Sequence, residues 1–216
     1  MDSSKNEQLL ARAIEITKEA GMGKEMWAVG GGTVLSHYYD HRLSKDIDIF
    51  INDPQFLSSL SPRLNEIANE AAGYDETGSF ISLTFPEGEV DFIVGSQLSK
   101  FKPQEQPFLN QVVNLEDPVE IIAKKIVYRG HYAVSRDIFD LAVVSSDRMK
   151  DIVDIFSKHP NEVKKFYERL SASTKNRDEL YSITQKGSIL PGGMKFIGKE
   201  VKLCKKIESQ LRQRQR

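Results

Sequence analysis

The chain has 216 residues, 39% of them hydrophobic and 28% charged, with a formal net charge of −1. That length allows one large domain or two small ones with a real core, and the near-neutral balance leaves any phosphate or nucleic-acid chemistry to local clusters. A lone cysteine, Cys204, excludes an internal disulfide framework and favours a reducing, cytoplasmic setting. The N-terminus "MDSSKNEQLL" lacks a signal peptide's apolar run. Nothing approaches the roughly 18 apolar residues of a membrane span, so no membrane partner is expected.

In chain order, Glu7 to Ala20 places Leu10, Ala13, Ile14 and Thr17 at helical spacing, ending near Gly21. "MWAV" (26–29) predicts a short buried strand running into three glycines, and "TVLSHYY" a helix after them. "DIDIFI" (46–51) predicts a strand stopped by "NDP". Pro54 then opens a helix expected to run to about Ala72. "GSFISLTF" and "EVDFIV" flank "PEG" as a hairpin, with "QVVNL" a further strand.

After Asp117-Pro118 the pattern turns helical. "PVEIIAKKIVYRG", "SRDIFDLAVVS", "RMKDIVDIFSKH", "NEVKKFYERL" and "RDELYSITQK" all predict helices. "LPGGMKFIG" predicts a loop, and a basic helix follows from Lys199. The expected fold is α+β: a small mixed sheet flanked by helices over residues 1–116, then an all-helical half over 117–216.

The chemistry concentrates in "GGGTVLSHYYDHRLSKDIDIF" (30–50). Alternation along a strand puts Asp46 and Asp48 on one face and Ile47 and Ile49 on the other. Two like charges on one face repel unless solvent or a cation separates them, and Mg²⁺ takes carboxylates together with substrate phosphates. An isolated Asp-x-Asp is more often a solvated strand end. Three further features count against that here. Gly30 to Gly32 lie between a strand and a helix, where backbone N–H groups and a positive dipole end meet phosphate, and Thr33 adds a hydroxyl. This turn matches neither the P-loop nor the Rossmann spacing. Asp91 interrupts an apolar strand, and a carboxylate there is costly unless paired or metal-bound. If its strand neighbours that of Asp46, three carboxylates converge as a two-metal phosphoryl-transfer site needs. "HRLSK" supplies Arg42 and Lys45 for a triphosphate; His37 and His41 are read as non-ligands.

In the helical half, Lys125 and Arg129 share a helix face, as do Asp137 and Asp140. Lys125 would act as a point charge on a triphosphate. Asp140 either holds Lys125 or contacts the nucleotide, Arg136 is read as structural, and Lys124 is assigned to solvent. Lys164, Lys165 and Arg169 near Phe166 and Tyr167, and the basic tail "KKIESQLRQRQR", are candidate RNA contacts or solvated helix faces.

These residues resemble the nucleotidyltransferase superfamily that includes DNA polymerase beta, and within it the AbiEii/AbiGii toxin group. The likeness lies in Gly31, Gly32, Thr33, His41, Arg42, Ser44, Asp46 and Asp48, then in Lys125, Arg136, Asp137, Asp140 and Leu141. It covers about residues 25–145. Departures are Gly-Thr where Gly-Ser is common, and Tyr132 where some relatives have arginine. The resemblance implies transfer of an NMP from an NTP to an acceptor hydroxyl with Mg²⁺ or Mn²⁺. Catalytic residues would be Asp46, Asp48, Asp91 and Lys125, the three aspartates being the metal ligands. Gly31, Gly32, Thr33, Arg42, Ser44, Lys125 and Asp140 would bind nucleotide. It also implies a toxin–antitoxin or phage-defence setting, a cognate antitoxin, and the 3′ end of tRNA as acceptor. The alternatives are an Asp-x-Asp glycosyltransferase, transfer to a protein or small molecule, and a catalytically silent binding module.

Overall fold

A computed structural model of the chain describes residues 3–173 and 188–214; the helix expected over "RDELYSITQK" lies outside them. The described chain forms two compact units. One comprises residues 1–34, 44–97 and 102–117, the other 35–43, 98–101 and 118–216.

The first unit is built on a seven-stranded sheet of order β3-β4-β5-β2-β1-β7-β6. Its strands are β1 (Trp27–Gly30), β2 (Ile47–Ile51), β3 (Gly73–Glu76), β4 (Phe80–Phe85), β5 (Gly88–Val94), β6 (Gln104–Phe108) and β7 (Gln111–Leu115). Helix α1 (Ser3–Glu19) packs on β2 and β5. Its Leu9, Leu10, Ala13 and Ile16 are buried, as are Ile47, Ile49, Ile51, Val90 and Phe92 on the strands. Burying each such side chain contributes on the order of 1.5–3 kcal/mol. Because Ile47 pairs with Val90 and Ile49 with Phe92, one face of the sheet is apolar. The residues between them, Asp48 and Asp91, fall on the other.

Two strands escape the sequence pattern. β3 is short and polar. β6 contains Pro107, and it joins β7 through Leu109 and Asn110, both at positive φ (48° and 61°), a two-residue turn without glycine. The helix expected from Pro54 to Ala72 is broken into a 3₁₀ turn (Pro54–Phe56), the single α-turn α3 (Leu57–Leu60) and a second 3₁₀ turn (Ala68–Glu70). Ser61 takes an extended conformation (ψ 141°), as a residue before proline must, and Leu64 is left exposed.

Helix α2 (Gly31–Tyr39) supplies its first four residues to the first unit and the rest to the second. Among the described residues, the second unit's other α-helices are α4 (Pro118–Arg129), α5 (Ser135–Phe156), α6 (Pro160–Ser173) and α7 (Glu200–Arg214). The two helices expected between 135 and 159 are one, kinked at Arg148 (φ −111°, ψ 24°). The segment "LPGGMKFIG" is a 3₁₀ helix over Pro191–Phe196 rather than a loop. Gly192 and Gly193 sit so close to the carbonyls of Tyr39 and His41 that a side chain on either would overlap them. Phe139, Val143 and Phe196 form a buried cluster covered by Tyr39, Ile189 and Leu203. Cys204 is wholly buried, and burial pushes its thiol up to about 12, so it is an inert packing residue. Among the described residues no helix is long and apolar enough to cross a membrane.

Candidate active site

The two aspartate segments meet. β2 and β5 pair in parallel with Asp48 opposite Asp91. β1 runs antiparallel on the other side of β2, with Gly30 opposite Asp48, and β4 places Ser82 opposite Asp91. Gly30, Asp48, Asp91 and Ser82 thus form one row across four strands. Cross-strand neighbours share a face, so the two carboxyl groups lie side by side. Burial, opposed by a hydrogen bond from Ser82 and reinforced by the charges of Asp48 and Asp46, raises the Asp91 carboxyl to about 6. Its Oδ1 is buried with no hydrogen-bond partner. Asp46 lies just before β2 rather than in it, since the strand begins at Ile47.

The glycine turn serves this pair. Gly31 adopts φ +70°, and a Cβ on it would stand 1.7 Å from Asp48 Oδ2. Glycine is therefore required twice, for its backbone angle and for the room Asp48 occupies. A Cβ on Gly30 would meet Glu116 and the Phe50 ring at 2.6 and 2.7 Å. Gly31, Gly32 and Thr33 are buried. The Thr33 hydroxyl donates to the Asp46 carbonyl at 2.5 Å. That bond ties the first turn of α2 to the start of the aspartate segment. Ser44 accepts from Asn6 Nδ2 through its carbonyl at 3.1 Å, which holds the approach to Asp46.

The second unit contains a buried ionic cluster. Asp140 is fully buried; Arg42 grips it with two bonds, Nε to Oδ1 at 2.7 Å and Nη2 to Oδ2 at 2.8 Å. His41 Nε2 lies 2.8 Å from Oδ1. The ionised carboxylate can only accept, so the imidazole donates there. Lys125 Nζ sits 3.2 Å from Asp140 Oδ2 and donates to Asp137 Oδ1 at 2.9 Å. Arg129 also pairs with Asp137. Burial alone would raise the Asp140 carboxyl, but Arg42 and Lys125 outweigh it and hold it well below the usual carboxylate range. Asp137 is likewise lowered, by Lys125 and Arg129 acting against burial.

This geometry corrects several expectations. Asp140 has no exposed surface for a nucleotide, so of its two candidate roles it fills that of holding Lys125. Arg42 is buried in the fork with Asp140 instead of reaching for phosphate. His41, read as a non-ligand within the His-Arg-x-Ser motif, is the third partner of Asp140. Asp137 and Asp140 are not surface residues. Lys124, assigned to solvent, is buried and paired with Glu120 at 3.7 Å, while Glu120 caps the Leu98 and Ser99 amides. Phe166 and Tyr167 belong to the core, so they are not stacking platforms. In the tail Arg212 pairs with Glu208 and Arg214 with Asp154, while Ile207 and Leu211 are buried. Ser82 was missed; its signal was its polar place in the alternation of "FISLTF".

Among the described residues no three carboxylate, imidazole or thiolate groups form a ready-made metal cage. The donor set still fits a hard divalent cation. Mg²⁺ is commonly held by one or two carboxylates and completed by substrate phosphates and water, without an all-protein cage. The Asp48–Asp91 pair, with the unpartnered buried Oδ1 of Asp91, offers the two carboxylates that such a site would use.

The family described as "Nucleotidyl transferase AbiEii toxin, Type IV TA system" matches residues 20–188. No curated protein matches the chain. Among solved structures, a Helicobacter pylori protein described as a candidate nucleotidyltransferase is similar with a TM-score of 0.51 and 13% identity, covering 99% of this chain and 98% of its own. The H. pylori protein JHP933 gives 0.47 and 12%, covering 100% and 95%. MenT4, a nucleotidyltransferase toxin from Mycobacterium tuberculosis H37Rv, gives 0.46 and 14%, covering 93% and 89%. At these identities the first likeness speaks for the fold, and the family match, over most of the chain, sets aside the glycosyltransferase alternative. The protein is a nucleotidyltransferase of the AbiEii toxin family.

Proposed function

We propose that the chain transfers an NMP from an NTP to an acceptor hydroxyl in a divalent-metal-dependent reaction. The carrying observation is the register of Asp48 and Asp91 across β2 and β5. Asp48 and Asp91 would hold the cation, with Asp46 adjoining them. A bound Mg²⁺ or Mn²⁺ would supply charge neutralisation at the phosphates. Asp91 would take the proton of the acceptor hydroxyl. That hydroxyl attacks the α-phosphorus, the bond to the β-phosphate oxygen breaks, and pyrophosphate leaves. The Gly31–Thr33 amides at the start of α2 neutralise triphosphate charge. Most of the rate comes from positioning and fixed charge.

Family membership implies a cognate antitoxin. The acceptor we propose is the 3′ end of tRNA, on the family resemblance alone, since the paired tail arginines and the buried Phe166 and Tyr167 no longer support it. Incubation with each α-labelled NTP, Mg²⁺ and total RNA or total protein tests this reading. Label in RNA that disappears in folded Asp48→Asn and Asp91→Asn chains supports it. Label in protein or in small molecules moves the acceptor, and full labelling by both variants overturns the site.

A further inference from the structure

Residues 128–136, Tyr-Arg-Gly-His-Tyr-Ala-Val-Ser-Arg, join α4 to α5 and carry three rings, two arginines and no carboxylate. The small residues face inward. Gly130 and Ala133 are buried, and a Cβ on Gly130 would be 3.1 Å from Phe166 Cβ. Arg169 Nε donates to the Ala133 carbonyl at 3.4 Å. The large residues face outward: Tyr128, Arg129, His131, Tyr132, Val134 and Arg136 are exposed, Tyr132 at 74% and Tyr128 at 45%. The His131 and Tyr132 ring centroids lie 4.1 Å apart at an interplanar angle of 45°.

The segment is also braced. Asp137 accepts from the Val134 N–H at 3.2 Å through Oδ2 and from Lys125 and Arg129 through Oδ1. A single exposed tyrosine is ordinary on any surface. A braced run of rings and guanidinium groups, without a carboxylate, has a more specific use. Rings stack on unpaired bases of any sequence, and arginines meet the phosphates between them.

We propose that residues 128–136 bind the unpaired bases of a single-stranded polynucleotide, with Tyr128, His131 and Tyr132 stacking and Arg136 neutralising phosphate. If the transfer reading holds, the bound strand is the acceptor; the surface itself does not depend on that reading.

The test is fluorescence anisotropy of the full chain with a labelled single-stranded oligoribonucleotide of about a dozen nucleotides, long enough for one binding groove. Combined Tyr128→Ala and Tyr132→Ala should weaken binding about tenfold or more, since each stacked base contributes measurably. Tyr128→Phe with Tyr132→Phe should bind within about twofold of the parent, because stacking needs only the ring. Arg136→Gln should reduce the salt slope by about one, and a fully paired hairpin should bind more weakly. Equal binding by the double alanine variant, equal affinity for the hairpin, or no binding by the parent at low salt would each overturn the proposal. So would a loss confined to mononucleotide NTPs, which would make the rings a site for the incoming nucleotide. Anisotropy needs no turnover, so ring-dependent binding by a chain that labels nothing would keep this proposal and remove the catalytic one. Thermal melts of the variants should match the parent, as exposed rings add little to folding.

Discussion

Asp48 and Asp91 are direct partners in the parallel pairing of β2 with β5, and Gly31 leaves open the space that Asp48 Oδ2 fills. Two ionised carboxylates side by side on a partly buried face destabilise the metal-free fold.

The folded value of Asp91, about 6, exceeds its ordinary 3.8. Stability tied to its protonated form is therefore present at low pH and lost as pH rises through about 6. In chelator at pH 7.5, Asp91→Asn should be more stable than the parent by about 1–3 kcal/mol, with the gap closing towards pH 4. Urea denaturation of both chains across that range measures it. Added Mg²⁺ should raise the melting temperature of the parent and leave that of the variant nearly unchanged.

Gly31→Ala places a methyl where Asp48 Oδ2 now sits and forces a residue with Cβ to φ +70°. The expected result is a fold weakened by about 1–3 kcal/mol and transfer activity down on the order of a hundredfold. Denaturation and labelling assays on one preparation separate the two. A variant with parental activity would show that Asp48 does not act from this position.

Asp140→Asn leaves Arg42 and Lys125 facing a neutral amide in a buried cluster, and about 3–5 kcal/mol of stability should go. The lowered Asp140 and Asp137 carboxyls carry the opposite sign to Asp91. Their contribution is full above the ordinary carboxylate value and is lost as pH falls towards their folded values. Acid unfolding monitored by circular dichroism should begin at higher pH in Asp140→Asn. Arg42→Lys keeps the charge but not the fork, so its loss should be smaller.

Thr33→Val removes the hydroxyl that holds the Asp46 carbonyl. A stability loss of about 1 kcal/mol is expected. If positioning is the role of Thr33, kcat falls while the KM for NTP changes little. A large rise in KM with kcat unchanged would instead return Thr33 to direct phosphate contact.

Much of this was legible in the sequence because it is local. The isoleucines of "DIDIFI" and the Val-Asp-Phe of β5 announce two half-apolar strands through their two-residue period. The helical stretches of the second half follow the 3.6-residue period. "Ser-Pro" at 61–62 is a legible break as well, though the apolar spacing on either side of it imitates a continuous helix. β6 was hidden because proline and glutamines lack strand character, and an edge strand tolerates them.

What the sequence determined by itself is the face each side chain takes: Asp48 and Asp91 opposite their apolar neighbours, and Lys125 in a helix with Arg129. Alternation says nothing about which strand lies next to which. Only the tertiary structure put β5 beside β2 in the register that joins Asp48 to Asp91, fitted Gly31 against that carboxylate, and buried Asp140 among His41, Arg42 and Lys125. Those decisions depend on contacts between residues far apart in the chain, where pairing and loss of solvent set the outcome and local periodicity carries no record of it.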